Sequence, residues 1–281
     1  MIEELEFDPQ KTVQRVKELE TYFQTQVLDR ERFICQNYRQ CLSSHPGTFH
    51  QGQLHHVGDY YDAYVRGRPY RIMIVGQEYG HGPANVSLNA RSQMVLEETG
   101  LQKTFGQRNP HMRGVTSALN LLYDLPLSRD HESEFMQIDN KRLHIFDTFS
   151  LANYLLCSAV EEGQGRRGKA TDTMLKNCRW HFRKAIEILE PTVMVVQSKG
   201  YWMRIKLTFD QVEPITNELY RVRLGNSEIL VAVFAHPSTP DNLHNWGRST
   251  DTPYLLNTVA PTIEKIKNTM LEMKPSSNTL S

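Results

Sequence analysis

Apolar residues recur along the chain with two different periods, and each period predicts a different kind of element. In roughly the first 45 residues Val13, Val16, Leu19 and Phe23 follow one another at helical spacings of three and four. This pattern predicts one helix there and a second helix from about Asp29 to Cys41. From Tyr70 onward, short apolar runs of strand length alternate with longer segments of helical period.

The alternating part of the chain predicts an α/β fold. Its strands are expected at 70–75, 144–149, 191–197, 219–224 and 228–235, and its helices at 87–98, 113–123, 171–189, 199–208 and 252–272. Such alternation is typical of a three-layer α/β/α architecture with a mainly parallel central sheet. The polar stretch 128–142 is expected to be a surface excursion.

One α/β/α domain with an N-terminal addition is the simplest organisation. Residues 1–58 are interpreted as a helical N-terminal extension and connector, 59–272 as the α/β/α domain, and 273–281 as a flexible tail. No run of eighteen apolar residues occurs, so no membrane span or membrane partner is expected. The acidic first residues do not resemble a secretory signal, which favours a cytoplasmic location.

The charge balance restricts how the chain can attract nucleic acid. The 32 basic residues equal the 32 acidic ones, which argues against an attraction spread over the whole sequence. One local exception is 163–184, where seven basic residues stand against one acidic residue, Asp172. This run is either a basic surface for nucleic acid or simply a solvated helix face with a basic loop.

Two apolar strand-like runs are each followed by residues that can do chemistry. The first run leads into Gly76, Gln77 and Glu78, and the second leads into His236. In an open α/β sheet, ligands bind at the carboxyl ends of the strands. A carboxylate and an imidazole meeting there suit hydrolysis with a developing anionic leaving group. Each also has a structural explanation, as a surface-turn glutamate and a hydrogen-bonding histidine.

A third apolar run contains an asparagine, Asn153. Its amide offers two donors and an acceptor, which suits the Watson–Crick edge of a pyrimidine. Equally, such an asparagine can satisfy backbone groups at the end of a strand.

At these places the sequence resembles the uracil-DNA glycosylase superfamily. The segment 76–83 looks like the Gly-Gln-Asp-Pro-Tyr-His-Gly-Pro motif of that superfamily and matches it at five of eight positions. The segment 236–238 is similar to the superfamily's His-Pro-Ser motif. The order of Asn153, Cys157, a basic loop and Cys178, followed by 189–193, resembles the iron–sulfur branch.

The resemblance implies an enzyme that hydrolyses the N-glycosidic bond of uracil, or of a related damaged base flipped out of DNA. Glu78 matches the catalytic carboxylate, and His236 matches the residue that stabilises the departing base. Asn153 matches the base-reading amide, with Gln77 contributing its backbone and Tyr79 pressing on the pyrimidine C5 edge. The partner implied is DNA, single-stranded or with a flipped base, and no nucleotide cofactor is implied.

Several further positions follow from the same resemblance. His111 falls near the place of a base-stacking phenylalanine, and Leu243 near that of an intercalating wedge. Ser238, Arg166, Arg167 and Lys169 are the remaining candidates for contacts with DNA. The alternative function is a catalytically weak or inactive module that senses a modified nucleobase or nucleotide with the same pocket.

The four cysteines admit two interpretations. Their spacings do not fit common zinc fingers, and a cytoplasmic location disfavours disulfides, so spacing alone favours free buried thiols. The resemblance instead implies a structural four-iron four-sulfur (4Fe-4S) cluster. Its ligands are then Cys35, Cys41, Cys157 and Cys178.

Overall fold

The computed structural model describes most of the chain in one connected set of elements. The described residues are 2, 4–29, 32–45, 47–51, 54–77, 87–99, 104–138, 140–160, 170–241 and 243–272. The helices are α1 Pro9–Gln26, α2 Tyr38–Ser43, α3 Leu88–Leu96, α4 Pro110–Leu122, α5 Asp172–Leu189, α6 Trp202–Ile205 and α7 Ala260–Glu272.

The strands form one large sheet and several small ones. They are β1 Leu5–Phe7, β2 Leu28–Asp29, β3 Arg32–Phe33, β4 Thr48–Gln51, β5 His56–Val57, β6 Ala63–Val65, β7 Arg68–Pro69, β8 Ile72–Gly76, β9 Phe135–Ile138, β10 Lys141–His144, β11 Phe149–Asn153, β12 Cys157–Val160, β13 Val193–Val196, β14 Gln211–Pro214, β15 Leu219–Leu224 and β16 Ser227–Val233.

The large sheet has seven strands in the order β14-β15-β16-β13-β8-β11-β5. The four central strands from β16 to β11 run parallel, whereas the outer pairings are antiparallel. The expected α/β class is therefore confirmed with a mixed sheet. The parallel character predicted for most of the sheet is limited to its centre, because β15 and β16 are joined by a hairpin and β5 adds antiparallel to β11.

Alternate residues of the central strands belong to two separate apolar clusters. Met73, Val75 and Val231 share one cluster with apolar residues of α1 and α5. Their neighbours Ile72 and Ile74 share the other cluster with apolar residues of α4 and α7. Because successive side chains of a strand point to opposite faces, both faces of the central strands are covered.

The predicted positions of helices and strands agree with the structure where the periodic segment of sequence is long. The helices predicted at 87–98 and 171–189 correspond to α3 and α5, and the strand at 219–224 is β15. The helix predicted from 113 begins earlier, at Pro110. Asn109 accepts a hydrogen bond from the Met112 amide and so caps the helix there.

Two predicted elements are wrong. The strand placed at 144–149 begins only at Phe149, because the His144 ring accepts the Phe146 amide and turns 145–147 into a 3₁₀ helix. The second helix, predicted from about Asp29 to Cys41, is replaced by the β2–β3 hairpin followed by α2. Short apolar runs do not distinguish a strand from a turn or a helix.

Helix α1 exists as predicted, but the buried side of the helix is different. Val13 is 65% exposed, while Thr12, Arg15, Leu19 and Phe23 are buried. The helix turns this way because Arg15 and Thr12 both bond to the fully buried Asp62. Leaving the buried Asp62 carboxylate without partners would cost more free energy than leaving one valine exposed.

This carboxylate lies in an ionic network that connects the first helix to the central sheet. Asp62 is 3.0 Å from Arg15 Nε and 3.7 Å from a guanidinium nitrogen of Arg71, which immediately precedes β8. Both arginines also contact Glu190. Breaking one partner of such a buried set costs about 3–5 kcal/mol.

Segments before and after residue 58 are also paired through their backbones. β1 pairs with β6, β4 with β12 and β5 with β11. The domain limits drawn from the sequence stay predictions. Among the helices of the described ranges, none has both the length and the apolar character needed to cross a membrane.

Candidate functional site

The carboxyl ends of three central strands meet at one place. Gly76 ends β8 and lies opposite Asn153, which ends the adjacent parallel strand β11. The pairing continues past both strands, because the Leu155 amide donates to the Gln77 carbonyl at 3.0 Å. His236 follows β16 three residues after its end.

A cavity of about 290 Å³ opens at this edge of the sheet. Its polar side chains are Gln77, Arg91, Asn109, His111, Asn153 and His236. Gly76, Met94, Val95 and Met112 complete its described lining. A volume near the lower end of the range for ligand pockets, about 300–1,000 Å³, suits a small ligand such as a single nucleobase.

Four residues singled out from the sequence therefore share this cavity: Gln77, His111, Asn153 and His236. The side-chain amide of Gln77 donates from Nε2 to Ser198 Oγ at 2.6 Å, which connects this side chain to the residues that follow β13. The predicted positions Glu78, Tyr79, Arg166, Arg167 and Lys169 lie outside the described residues.

Two polar lining residues were not found from the sequence, Arg91 and Asn109. Arg91 lies in the middle of α3, where an isolated arginine is usually a surface residue, yet here it is buried. Asn109 could have been noticed as a helix cap, because Asn-Pro before an apolar helix is a typical start signal.

Gly76 allows the walls of the cavity to come close together. A Cβ atom at this position would lie 2.8 Å from Asn153 Oδ1 and 3.2 Å from His111 Cε1. Both distances are shorter than ordinary contacts between carbon and its neighbours. The absent side chain thus lets Asn153 and His111 approach the same strand end.

The hydrogen bonds of His236 determine which ring nitrogen carries the proton. Nδ1 accepts the Ser238 amide at 3.2 Å and lies 2.8 Å from the Ser238 hydroxyl. An amide can only donate, so the neutral ring carries its proton on Nε2. Burial lowers the pKa of His236 below the ordinary histidine value, which favours this neutral donor form.

His111 lies parallel to His236, with ring centroids 5.6 Å apart and planes 16° from parallel. Burial, followed by the nearby His236 and Arg91, lowers the pKa of His111 to about 3. Its Nδ1 is buried without a hydrogen-bond partner among the described residues. The cavity therefore has two neutral imidazoles along one wall.

The loop that carries His236 packs directly on α4. A Cβ atom at Gly114 would lie 2.5 Å from Pro237 Cγ, and one at Gly247 would lie 2.1 Å from the Pro110 carbonyl oxygen. The buried Trp246 donates from Nε1 to the Ala235 carbonyl at 2.7 Å. Two glycines and one tryptophan thus fix His236 relative to the helix that carries His111.

The entry to α4 is held by a buried ion pair. Both carboxylate oxygens of Glu134 accept hydrogen bonds from the fully buried Arg108, at 2.7 Å each. Arg108 also donates to Thr116 of α4 at 2.9 Å. This bidentate geometry is the strong form of the arginine–carboxylate contact and fixes the segment leading to His111.

The same carboxylate belongs to a group that superficially resembles a metal site. The ligand atoms of His131, Glu134 and His144 lie within 4.8 Å of one another. However, His144 Nδ1 accepts the Phe146 amide, so Nε2 carries the proton and donates to Glu134. With Arg108 on the same carboxylate, this group is an ion and hydrogen-bond network.

The remaining predicted DNA contacts flank His236. The Ser238 side chain bonds to His236, as described above. Leu243 is 75% exposed in the loop that follows. Its assignment as a wedge stays a prediction.

No disulfide bond joins the four cysteines, which lie in or against one apolar cluster. Cys35 Sγ is 3.2 Å from His181 Nε2, and the amides of Asn37 and Tyr38 bond to this sulfur. The amides of Leu156 and Cys157 bond to Cys178 Sγ, whose pKa burial raises to about 12. Cys41 Sγ accepts from Asn177 at 3.5 Å.

The spacing of these sulfurs excludes one kind of metal site in the described structure. Among the described residues, the His131 group is the one set of three or more ligand atoms within 4.8 Å of one another. A tetrahedral zinc site needs a closer set, because each sulfur lies about 2.3 Å from the ion. A larger cluster spans wider separations between its ligands.

Comparison with known proteins does not assign the chain to a family. No protein-family model matches the chain, and no curated protein matches it.

Because Gly114 packs against Pro237, replacing this glycine with alanine is predicted to destabilise the protein instead of stabilising it. Glycine to alanine inside a helix normally stabilises by about 0.5–1 kcal/mol. For Gly114→Ala we expect a loss of about 1–3 kcal/mol, because the new methyl group overlaps Pro237. Urea unfolding measures this change, and NMR chemical shifts of His236 report the displaced loop.

Gly106→Ala is the matched control, since a Cβ atom there meets nothing within 4 Å. A Gly114→Ala protein as stable as the parent, with unchanged His236 shifts, would contradict the packing argument.

The low pKa of His111 predicts a pH-dependent contribution to stability. In the unfolded chain this histidine binds a proton below about pH 6.5, whereas in the folded protein it does so only near pH 3. Its burial therefore costs stability increasingly as the pH falls between these values. When the pH is lowered from about 7.5 to about 5, the free energy of unfolding of His111→Gln should fall by about 1–2 kcal/mol less than that of the parent protein.

Urea unfolding at the two pH values measures the difference. Identical pH dependence of parent and His111→Gln would show that His111 is not held neutral in the folded protein.

Proposed function

We propose that this chain is a DNA glycosylase-like hydrolase of the uracil-DNA glycosylase superfamily, acting on uracil or a related damaged base in DNA. The observation that carries the proposal is the shared cavity of Asn153 and a neutral, donating His236. A base-reading amide and a donor for an anionic leaving group lie at the strand ends where α/β proteins bind ligands.

In this function His236 acts on the departing base. Negative charge develops on the base oxygens as the N-glycosidic bond lengthens, and the Nε2 hydrogen can stabilise it. A preorganised donor aimed at the place where charge develops stabilises the transition state more than the ground state. The lowered pKa of His236 keeps the ring neutral, so it donates a hydrogen bond without already carrying a charge.

The other roles follow from the motifs. Asn153 reads the Watson–Crick edge of the flipped base, and His111 forms a flat wall beside it. Glu78 is assigned to orient the attacking water and to stabilise positive charge on the sugar. Gln77 and Tyr79 complete the base contacts.

The proposed architecture is a three-layer α/β/α sandwich. Support comes from the two apolar clusters on opposite faces of the central strands, with α1 and α5 in one and α4 and α7 in the other. The proposed partner is DNA, single-stranded or with a flipped base. The exposed Leu243 is assigned as the wedge, and Ser238, Arg166, Arg167 and Lys169 as backbone contacts.

A structural four-iron four-sulfur cluster is part of the proposal. Cys35, Cys41, Cys157 and Cys178 would hold it, and amide hydrogen bonds to Cys35 and Cys178 sulfur are the kind that stabilise cluster thiolates. When bound, the cluster would connect α2, β12 and α5. No catalytic step is assigned to it.

Uracil release from DNA tests the function. Oligonucleotides with one uracil, single- or double-stranded, are incubated with the protein and then treated with alkali to cleave abasic sites. We expect the parent protein to produce cleavage. His236→Ala should reduce the rate by about 10²–10³-fold, and Glu78→Ala by about 10²–10⁴-fold.

Glu132→Ala is the matched control, because this carboxylate is exposed and pairs with the exposed Arg142. If Glu78→Ala and the parent cleave equally well, the catalytic assignment of Glu78 fails. Tight binding of uracil-containing DNA without cleavage would favour the sensing module.

Anaerobic purification tests the cluster. The parent protein is expected to be brown, with broad visible absorption and equal amounts of iron and sulfide. Cys178→Ala should lose the colour and the iron. A folded parent protein that is colourless and free of iron after anaerobic purification would contradict the cluster.

A further inference from the structure

The outer side of α5 carries a large aromatic side chain that the fold leaves in solvent. Trp180 is 60% exposed, whereas the two other tryptophans of the chain, Trp202 and Trp246, are buried. Arg179 Cζ lies 5.6 Å from the centre of the Trp180 ring, which is a cation–π distance. Together the two side chains present a flat and positively charged surface.

Two cations close to Trp180 are not neutralised by an acidic group. Lys176 is exposed one turn before Trp180 and therefore lies on the same side of the helix. Neither Lys176 nor Arg179 forms an ion pair within the described ranges. The two later cations of α5 are both paired with acidic side chains, Arg183 with Glu187 and Asp210, and Lys184 with Glu187.

The early turns of α5 lie beside the strand end that carries the base-reading amide. Tyr154, which follows Asn153 in the chain, donates from its hydroxyl to the Leu175 carbonyl of α5 at 3.0 Å. Trp180 lies about 7–8 Å further along the helix axis than Leu175. The exposed ring and its unneutralised cations are therefore on the part of α5 that is close to the cavity.

We propose that this α5 surface, formed by Lys176, Arg179 and Trp180, binds an unpaired DNA strand beside the cavity. This inference rests on the proposed action on DNA. One base stacks on the indole while the two cations contact phosphates. Aromatic rings among cations suit single strands, because every base has a flat face and every nucleotide a negative charge. A duplex offers Trp180 no free face, since its bases already stack on one another.

Titration of the full-length protein with a short oligothymidylate, which contains no uracil, tests the inference. We expect the strand to quench the tryptophan fluorescence of the parent protein, because Trp180 is the exposed tryptophan. Fluorescence anisotropy of a labelled strand measures the affinity. Trp180→Ala should weaken binding about 5- to 150-fold, which is the loss of one stacked base, and Trp180→Tyr should restore part of it.

The salt dependence of binding tests the cationic part of the surface. Lys176→Gln should reduce the slope of log affinity against log salt concentration by about 0.7, because it removes one phosphate contact. Lys265→Gln is the charge-matched control and should leave the slope unchanged. Lys265 is also exposed, and it belongs to α7, whose apolar residues pack in the other cluster.

Two results would overturn the inference directly. One is equal affinity of the parent protein and Trp180→Ala for the oligothymidylate. The other is tighter binding of a matched duplex, or of vesicles of anionic lipid, since neither presents an unpaired base.

Uracil release separates this inference from the proposed function. Trp180-dependent binding of single strands without any uracil release would uphold the inference while the hydrolase proposal fails. Uracil release from single strands that Trp180→Ala performs with unchanged KM would uphold the hydrolase proposal and overturn the inference.

Discussion

The cavity depends on the absence of a side chain at the end of one buried strand. Parallel pairing of β8 and β11 sets Gly76 opposite Asn153, and His111 approaches the same point from α4. Any side chain at Gly76 would push both groups away. The close approach also depends on Gly114 and Gly247, where the loop of His236 touches α4. Three glycines thus set the separation of the residues that line the cavity.

Once these groups are close together, burial determines their charge. Removing imidazoles from water disfavours their protonated form, and Arg91 adds repulsion, so His111 remains neutral. His236 is also neutral and its proton is directed by Ser238 to Nε2. The described cavity therefore combines neutral donors with one permanent cation. In the proposed function, the His236 donor faces the negative charge that develops on the departing base.

The sequence predicts the parts of this arrangement that local pattern determines. Long periodic segments predicted α3 and α5 correctly, and buried apolar runs predicted three of the four central strands, β8, β13 and β16. The prediction failed where a side-chain hydrogen bond redirects the chain. Asp62 bonds to Arg15 and turns α1 so that Val13 is exposed, and His144 accepts the Phe146 amide and ends an apolar run in a 3₁₀ turn. Arg91 could not be found, because an isolated arginine in a helix has no local signal of burial. The position of Glu78 lies outside the described residues, so its motif remains the argument for it.

Two buried ion networks hold the elements that carry the cavity residues in fixed relative positions. Arg108 and Glu134 fix the segment before His111, while Asp62 with Arg15 and Arg71 fixes the start of β8. Buried ion pairs contribute little net stability compared with apolar packing, but losing one partner is costly. Each network therefore holds together the elements that it joins chiefly because the loss of one partner would leave a buried charge. Strand pairing sets Asn153 opposite Gly76, and the two networks hold the start of β8 and the entry to α4 on either side of it, so the walls of the cavity are positioned by the scaffold and not by the ligand.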